Sequence, residues 1–416
     1  MNQIKQLAVA LSIALKTPVS ARKPMGSGRW LWISASCAAL SLVAACHSPT
    51  PKPQPPPGLT VQAGQFYRAG KPYRAVGVNY YDLFTRLAAK PENESSLQGL
   101  AQLAQAGVPF ARFNAGGYSA TDWARYLANK EAHFAQMDRV VQAAEQNHIG
   151  LIPSLFWSTF LNETVDEHKQ AWGDRNSRTL AIMRDYTREV VTRYKTSPAI
   201  LAWEFGNEWN LYIDLPNAAD LRRPGEDAND DLKSTQLAVA LAEFAAAVRA
   251  VDSTRPLITG HSLPRPAAWN NTENNSWKAD TLEQWRAVLP RQNPLGYDTV
   301  SIHIYADEEV SKLGGQWTKS WADYLKQLKA YATETRRPLF IGEFGLASNG
   351  KFTPEQVKTG YRELIPAMEA AKVDLAAVWV FDLPAQNKDW NITFDNDRAY
   401  MLTDVIEANR RWSEPK

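Results

Sequence analysis

Two glutamates each follow a short aliphatic stretch and could act together on one substrate. Glu208 lies in the segment WEFGNEW, and Glu343 lies in LFIGEFG. Both segments predict buried strands that end in glycine-containing turns. A pair of carboxylates at strand ends can break a glycosidic bond, because one protonates the leaving oxygen while the other meets the positively charged anomeric carbon. A single glutamate at a strand end more often faces water or caps the next helix, so the hypothesis depends on the pair.

Other polar side chains fall on shared faces of predicted strands. In the segment SIHIY, alternation places His303 and Tyr305 on the face opposite the isoleucines. A further predicted strand contains Arg112, whose burial is costly unless a carboxylate pairs with it. Glu343 and Glu204 are both candidates for that carboxylate. Two donors near one of these carboxylates, such as Arg112 and Tyr305, would keep it ionised, as a nucleophile requires. A structural ion pair of Arg112 with Glu204, and a core position for His303, stay open.

Tryptophan is abundant on the loops that follow predicted strands. Sugars present flat C–H faces that pack on indole rings, so these side chains could line an oligosaccharide cleft. Core packing is the alternative for each of them. The loop tryptophans are Trp157, Trp172, Trp209, Trp269, Trp379 and Trp390. His261, at the end of the predicted fifth strand, is a further candidate for the cleft lining.

The two glutamate motifs resemble the acid/base and nucleophile signatures of the clan A retaining glycoside hydrolases, family 5 in particular. The resemblance extends from about Thr60 to the C terminus. It implies a (β/α)8 barrel that cleaves β-linked glycans, such as β-1,4-mannan or β-1,4-glucan, by double displacement. It also implies that no cofactor is needed. A metal site is not predicted, because none of the six histidines lies in a His-Glu-x-x-His motif.

The resemblance further implies individual roles. Glu208 would be the general acid and then the general base, Glu343 the nucleophile, Asn207 a partner of the sugar 2-hydroxyl, and Trp379 a stacking platform. The substrate-binding set is Arg112, Asn207, His303, Tyr305 and Trp379, together with Trp157 and Trp209. The predicted third strand, LIPSLFW, lacks the histidine of many family 5 cellulases, as the mannanase-like branches do. The identity of the β-glycan and the choice between endo and exo action stay open.

Regular alternation of strand and helix patterns predicts the scaffold that positions these residues. Parallel strands joined through helices argue for right-handed crossovers, and eight such units argue for a closed barrel. A doubly wound open sheet is the alternative, but it would concentrate functional residues at one switch point. Before the barrel, residues 61–74 predict a β-hairpin around an Ala-Gly-Lys turn that plugs the barrel bottom.

The boundaries of these elements follow from the hydrophobic pattern. The predicted strands are Ala75–Asn79, Val108–Asn114, Gly150–Phe156, Ile200–Phe205, Pro256–Gly260, Thr299–Tyr305, Leu339–Phe344 and Leu375–Phe381. The predicted helices include Ser95–Ala106, Phe134–Asn147, Arg178–Tyr194, Ser234–Val251, Trp321–Thr335 and Pro354–Ala371.

The N-terminal segment differs in kind from the rest. Basic residues precede an apolar stretch that ends in Val-Ala-Ala-Cys at Cys46, which predicts a signal peptide and resembles a bacterial lipobox. Residues 1–46 are therefore predicted to be a lipoprotein signal peptide, with Met1 or Met25 as the start. Residues 47–58 form a proline-rich tether, and residues 59–416 form the catalytic domain. A plain signal peptide or an uncleaved anchor helix is the alternative.

Composition limits the other possibilities. Both cysteines lie in the signal segment, so the domain would contain no disulfide and no cysteine metal site. A formal charge of +2 gives no basic field for nucleic acid. We expect a monomer that binds an oligo- or polysaccharide, contacts membranes only through its lipid, and lies in the bacterial cell envelope or is secreted. A carbohydrate-binding lipoprotein without catalysis is the competing function.

Overall fold

The computed structural model describes residues 56–306, 318–348 and 350–413. The predicted signal peptide with Cys46 and nearly all of the tether lie outside these residues. Within them, every helix is too short or too polar to cross a lipid bilayer. The first described elements form a small antiparallel sheet of three strands, β1 (Leu59–Gln62), β2 (Gln65–Arg68) and β3 (Lys71–Pro72).

Eight parallel strands form a nearly closed barrel. They are β4 (Ala75–Asn79), β5 (Phe110–Asn114), β6 (Gly150–Phe156), β7 (Trp203–Gly206), β8 (Leu257–Ile258), β9 (Val300–Tyr305), β10 (Leu339–Gly345) and β11 (Leu375–Val378). The strand order is β8-β7-β6-β5-β4-β11-β10-β9. The first and last strands, β4 and β11, pair in parallel, which an open doubly wound sheet of this chain order would not allow. The predicted (β/α)8 barrel is therefore confirmed.

Helices follow the strands and cover the outside of the barrel. They are α1 (Leu83–Ala89), α2 (Ser95–Gln105), α3 (Ala120–Ala128), α4 (Lys130–Gln146), α5 (Leu161–Thr164), α6 (Arg178–Tyr194), α7 (Ser234–Arg249), α8 (Ala268–Asn274), α9 (Leu282–Gln292), α10 (Trp321–Glu334), α11 (Pro354–Ala370) and α12 (Ala399–Ser413). Side-chain caps fix several starts. In α6, for example, the Ser177 hydroxyl accepts from the amide of Leu180.

Some predicted boundaries differ from the structure for local reasons. Helix α4 begins four residues earlier than Phe134, because Asn129 caps it by accepting from the Ala132 amide. Strand β7 begins only at Trp203, since the carbonyl of Leu201 instead accepts from the amide of Leu59. Strand β8 has only two residues, and the chain leaves the extended conformation at Gly260, whose φ is +73°.

The predicted hairpin around Ala69-Gly70-Lys71 is present, and a second hairpin turn precedes it. The Ala63–Gly64 pair, with φ of 49° and 79°, joins β1 to β2, whereas the predicted Ala69-Gly70-Lys71 turn joins β2 to the short β3. Two residues in the left-handed region suit the twist of a tight hairpin. The prediction missed the first turn, although Ala63-Gly64 carries the same Ala-Gly pair as the predicted one.

Two groups of buried side chains form the core. The larger lies between the barrel and its helices. The smaller fills the lower barrel, where Leu59 and Phe66 of the hairpin join inward side chains such as Phe110, Ile152 and Phe340. The hairpin therefore closes the bottom of the barrel with apolar groups, and the polar side chains collect at the opposite end.

Candidate active site

The carboxyl ends of the barrel strands open into a cleft of about 890 Å³. Glu208 and Glu343 both line it, together with Asn207, Tyr305 and Trp379. This is the end of a parallel barrel at which catalytic groups are normally displayed. The structure therefore brings the two glutamates and most of the predicted binding residues into one depression.

Arg112 is the centre of the floor of this cleft. It is fully buried on β5 and pairs with Glu204 at 2.7 Å and with Glu343 at 2.8 Å. Its remaining N–H groups donate to Asn79 Oδ1 and Asn207 Oδ1, each at 2.9 Å. Both candidate carboxylates are thus its partners. Two buried anions around one guanidinium satisfy its charge and its hydrogen-bonding capacity at once.

Glu343 reaches the floor through an irregularity in β10. Strict alternation would place it on the outer face with Leu339 and Ile341, which contact the helices. The register between β10 and β9 instead shifts between Ile341 and Glu343, as in a β-bulge, and this turns Glu343 inward. Gly342 permits the shift, since a Cβ there would meet a ring atom of His303 at 2.8 Å.

The surroundings of Glu343 act on its charge in opposite directions. On balance the pKa of Glu343 is raised, because burial and the charge of Glu208 outweigh His303, Arg112 and Tyr305, which lower it. The hydroxyl of Tyr305 donates to one carboxylate oxygen, and Arg112 donates to the other. Glu343 therefore has direct donors that stabilise its ionised form, despite being buried.

Glu208 occupies a strained position after β7. Its φ of 54° lies in the left-handed region, and its amide donates to the carbonyl of Gly260 at 2.8 Å. Gly260 cannot be replaced easily, because a Cβ there would meet the carbonyl oxygen of Gly206 at 1.9 Å. Burial raises the pKa of Glu208, and hydrogen bonding from Ser262 and the charge of Arg112 offset this in part.

His303 lies between the two glutamates. Its Nδ1 is 2.9 Å from Glu208 Oε1 and 3.5 Å from Glu343 Oε2. Burial lowers the pKa of His303 to about 4, so the ring is neutral at pH 7. One oxygen of each glutamate and one ring nitrogen of His303 all lie within 4.8 Å of one another. This spacing suits a nucleophile and an acid/base acting on one anomeric carbon with retention, whereas inversion needs room for a water molecule.

Aromatic side chains form one wall of the cleft. The Trp379 ring lies 6.1 Å from that of Trp157, which lies 5.0 Å from Tyr81 and also covers the guanidinium of Arg112 at 4.6 Å. Trp379 is held by a hydrogen bond of 2.9 Å from its Nε1 to Gln386. Tyr81 was missed by the sequence analysis, although its position just after the first barrel strand is a signal that could have found it.

Two loop tryptophans do not supply the stacking surface predicted for them. Trp209 borders the cleft but is only 1% exposed, and Trp172 is fully buried. The Trp209 ring packs 4.7 Å from Trp172 and donates to the carbonyl of Phe156, because the short 3-10 turn Trp209–Leu211 directs it into the wall. Both rings therefore support the turn that carries Glu208.

Three further candidates have different positions. His261 is fully buried below the cleft rather than lining it, and burial lowers its pKa to about 3. Trp269 is half-buried and is not among the cleft-lining residues of the described chain. Trp390 does line the cleft, with its ring 5.0 Å from that of Tyr305.

Groups able to bind a metal ion are few in the described residues. Two clusters place three ligand atoms within 4.8 Å of one another, and one of them is the Glu208, His303 and Glu343 site itself. The other consists of His168, Asp227 and Asp230 at the cleft rim. In the second cluster, Asp230 already accepts from His168 and from the amide of Lys169.

A nearly closed parallel barrel whose strand ends hold two carboxylates this close, beside an aromatic wall, defines a retaining glycoside hydrolase. The chain belongs to glycosyl hydrolase family 5: the profile of the family described as "Cellulase (glycosyl hydrolase family 5)" matches residues 74–383.

Individual relatives agree with this assignment. The chain is 26% identical over 335 residues to mannan endo-1,4-beta-mannosidase 8 of Oryza sativa subsp. japonica, covering 72% of this chain and 83% of the relative. The fold is similar to that of an endo-1,4-beta-mannanase from Rhizomucor miehei, with a TM-score of 0.60 and 18% identity over 85% of this chain and 99% of that one. It also resembles an exo-beta-1,4-mannosidase from Opitutaceae bacterium strain TAV5, with a TM-score of 0.59 and 15% identity over 85% and 63% of the two chains.

Proposed function

We propose that the protein hydrolyses β-1,4-linked mannan or manno-oligosaccharides, with Glu343 as nucleophile and Glu208 as general acid and base. The observation that carries the assignment of roles is the difference in hydrogen bonding between the two carboxyls. Glu343 accepts from the charged Arg112 and from Tyr305, whereas the direct neighbours of Glu208, the ring of His303 and Ser262, are uncharged. The pair can hold one proton between them, and these contacts favour its residence on Glu208.

The two chemical steps follow from this proton distribution. In the first, the Glu343 carboxylate bonds to the anomeric carbon while the bond to the glycosidic oxygen breaks, and Glu208 gives its proton to that oxygen. In the second, Glu208 takes a proton from water, whose oxygen bonds to the anomeric carbon and releases Glu343. Asn207, which accepts from Arg112 at 2.9 Å, is the proposed partner of the sugar 2-hydroxyl.

Mannan is proposed as substrate on two grounds. The curated relatives of this chain are named mannan endo-1,4-beta-mannosidases. The third barrel strand ends in Phe156, followed by Trp157 rather than the histidine of many family 5 cellulases. The similarity to both an endo-acting and an exo-acting structure leaves product size to be measured.

Product analysis tests the proposal. The purified domain is incubated with β-1,4-mannan, β-1,4-glucan and xylan, and the anomer released first is identified by NMR. We expect soluble products from mannan and β-anomers before mutarotation. Release of α-anomers would contradict retention, and activity on glucan or xylan without activity on mannan would reassign the substrate.

A binding protein without catalysis is not favoured by the site. Arg112, Tyr305 and His303 surround the two glutamates with the donors that catalysis needs, and a purely binding cleft has no use for buried like charges. Glycan binding without any turnover by the wild-type protein would revive that alternative.

We also propose that Cys46 is lipidated and anchors the protein in the bacterial cell envelope. The support is the sequence alone: a basic flank, an apolar stretch, Val-Ala-Ala-Cys and a proline-rich tether. Cys46→Ser in the full chain should shift the protein from the membrane fraction to the soluble fraction. Unchanged partitioning would refute the lipid anchor and would favour an uncleaved helix.

A further inference from the structure

A long loop, called the insertion below, lies between the turn that carries Glu208 and helix α7. This insertion, residues 209–233, contains three 3-10 turns before helix α7 begins. Its base is closed by a hydrogen bond of 3.0 Å from the amide of Asp214 to the carbonyl of Leu232. The Asp214 carboxylate also accepts from the amide of Ser234 and from the hydroxyl of Thr272. The insertion is therefore a fixed part of the fold at its base.

The far part of the insertion is tied to the loop after β6. Asp230 lies 2.9 Å from the His168 ring, and Glu226 accepts from Lys169 at 2.8 Å. Arg223 pairs with a glutamate of that loop and lies over the Phe160 ring at 5.1 Å. These contacts hold the insertion in place as one side of the cleft.

This fixed segment nevertheless exposes large apolar surface to the cleft. Tyr212 and Leu221 are 61% and 58% exposed, and both line it. Arg265 donates to the carbonyls of Leu211 and Ile213, at 2.7 and 2.5 Å. These hydrogen bonds fix the backbone on both sides of Tyr212. Aromatic and aliphatic side chains that stay exposed on a rigidly held turn, beside the proposed reaction centre, indicate a binding surface rather than part of the core.

The position of Tyr212 relative to Glu208 indicates which part of the substrate it meets. Glu208 must touch the glycosidic oxygen, so the departing sugar lies on its side of the cleft. Tyr212 follows Glu208 by four residues on the same turn, and the charge of Glu208 is among the causes that raise the pKa of Tyr212. The sugar that reacts lies instead between the glutamates, beside Trp379 and Trp157.

The charges around Tyr212 point to an uncharged ligand. Arg222 is paired with both oxygens of Asp231, at 2.9 and 2.7 Å. Arg223 and Lys169 share Glu226. Each of these cations already has an anionic partner, so they offer hydrogen bonds to hydroxyl groups but little net attraction for a uronic acid.

We propose that Tyr212, supported by Leu221, forms a subsite for the leaving portion of a neutral β-1,4-linked oligosaccharide. This inference rests on the proposed hydrolytic function and adds a specificity element to it. Tyr212 supplies a face for the leaving portion beyond the sugar that adjoins the broken bond, and Arg265 is a positioning residue that acts through the backbone on either side of Tyr212.

Cleavage-site mapping tests the subsite. Mannohexaose is hydrolysed in ¹⁸O-labelled water, and mass spectrometry gives the frequency of cleavage at each bond. Tyr212→Ala should lower kcat/KM about 3- to 10-fold on the hexaose, the range expected for one lost stacking contact. It should also move cleavage toward the reducing end, because productive complexes with more sugars on the leaving side lose an anchor.

The controls separate a subsite from a structural effect. Tyr212→Phe keeps the ring and should keep the cleavage pattern, and Arg265→Lys should move the pattern in the same direction as Tyr212→Ala. Leu221→Ala is matched by Leu295→Ala, which removes another exposed leucine, outside the cleft lining and on the segment that precedes β9. Only the former should shift the pattern.

The possible failures are distinct. A uniform loss of rate with an unshifted pattern in Tyr212→Ala would overturn the inference, as would a shift toward the non-reducing end. Wild-type protein that cuts cellohexaose but not mannohexaose would refute the proposed substrate alone, and the same mapping on cellohexaose would then decide the role of Tyr212. Wild-type protein inactive on both would refute the proposed function.

Discussion

The cleft floor and the cleft rim are both networks of charged side chains, but they differ in solvent access and in the elements that carry them. On the floor, Arg112 and Glu204 have fully buried side chains and Glu343 is 4% exposed. At the rim, the exposed fractions in the Arg222–Asp231 pair are 28% and 15%. Water can replace a lost partner at the rim but not on the floor. Charges on the floor therefore serve stability and chemistry together, whereas those at the rim shape a surface.

Removing either carboxyl of the proposed catalytic pair should have the largest effect on function. Glu343→Gln abolishes the nucleophile, and we expect kcat to fall by roughly 10⁴-fold or more. Glu208→Gln removes proton transfer, which is worth about 10²- to 10⁴-fold. Steady-state kinetics on mannohexaose measures both.

A substrate with a good leaving group distinguishes the two roles. A dinitrophenyl glycoside departs without protonation, so Glu208→Gln should regain much of its first-step rate on it and Glu343→Gln should not. Circular dichroism checks the fold of both variants. Near-native turnover by either variant on mannohexaose would refute the assignment.

Substitution of Arg112 should affect both the stability of the fold and the activity, because this residue lies at the centre of the cleft floor. Arg112→Met leaves Glu204 and Glu343 buried without their cation, and breaking such a buried pair costs about 3–5 kcal/mol of unfolding free energy. Urea unfolding measures the loss. Arg112→Lys keeps the positive charge, but a lysine ammonium cannot donate to the four partners that the planar guanidinium of Arg112 contacts. We therefore expect this variant to lose activity as well as stability. An Arg112→Met variant as stable as the wild type would show that the floor is not structural.

The raised pKa of Glu208 gives the floor a pH-dependent stability. Its folded-state pKa lies above the ordinary value because of burial, so the folded state holds the proton more tightly than the unfolded chain. The resulting stabilisation is present at low pH and is lost as pH rises above about 4.3, the ordinary glutamate value. Glu208→Gln does not ionise there, so its Tm should exceed that of the wild type by more at pH 7 than at pH 4. A constant difference across this range would contradict a raised pKa.

The barrel was predictable from sequence because its signals are local. Each barrel strand is an aliphatic run followed by a helix-period segment, and β4 and β6 begin and end where the pattern placed them. The family motifs also singled out Glu208 and Glu343, which the structure places in one cleft. The inward direction of Glu343 was not predictable from alternation, because the bulge at Gly342 depends on the neighbouring strand and on His303.

The cleft walls were less predictable because they depend on contacts between distant loops. Trp209 and Tyr212 occur within four residues of each other after the same strand, yet one is buried and the other is 61% exposed. The difference arises from Trp172 and Phe156, which cover Trp209, and from Arg265, which holds the turn around Tyr212. The sequence marked Trp209 as a candidate and did not single out Tyr212, because only the packed loops determine which of the two faces the cleft.

Removing an ion pair at the cleft rim should have the smallest effect on stability, much smaller than the effect of removing Arg112. Lys169 pairs with Glu226 at 2.8 Å, with side chains 21% and 11% exposed. Lys169→Gln leaves Glu226 with Arg223 and with water as partners, so we expect at most about 1 kcal/mol of lost unfolding free energy. Urea unfolding at low and at 1 M salt measures it, and the difference from wild type should shrink at high salt because exposed charges are screened. A loss of unfolding free energy as large as that of Arg112→Met, and unaffected by salt, would show that the rim ion pairs stabilise the fold as much as those of the floor.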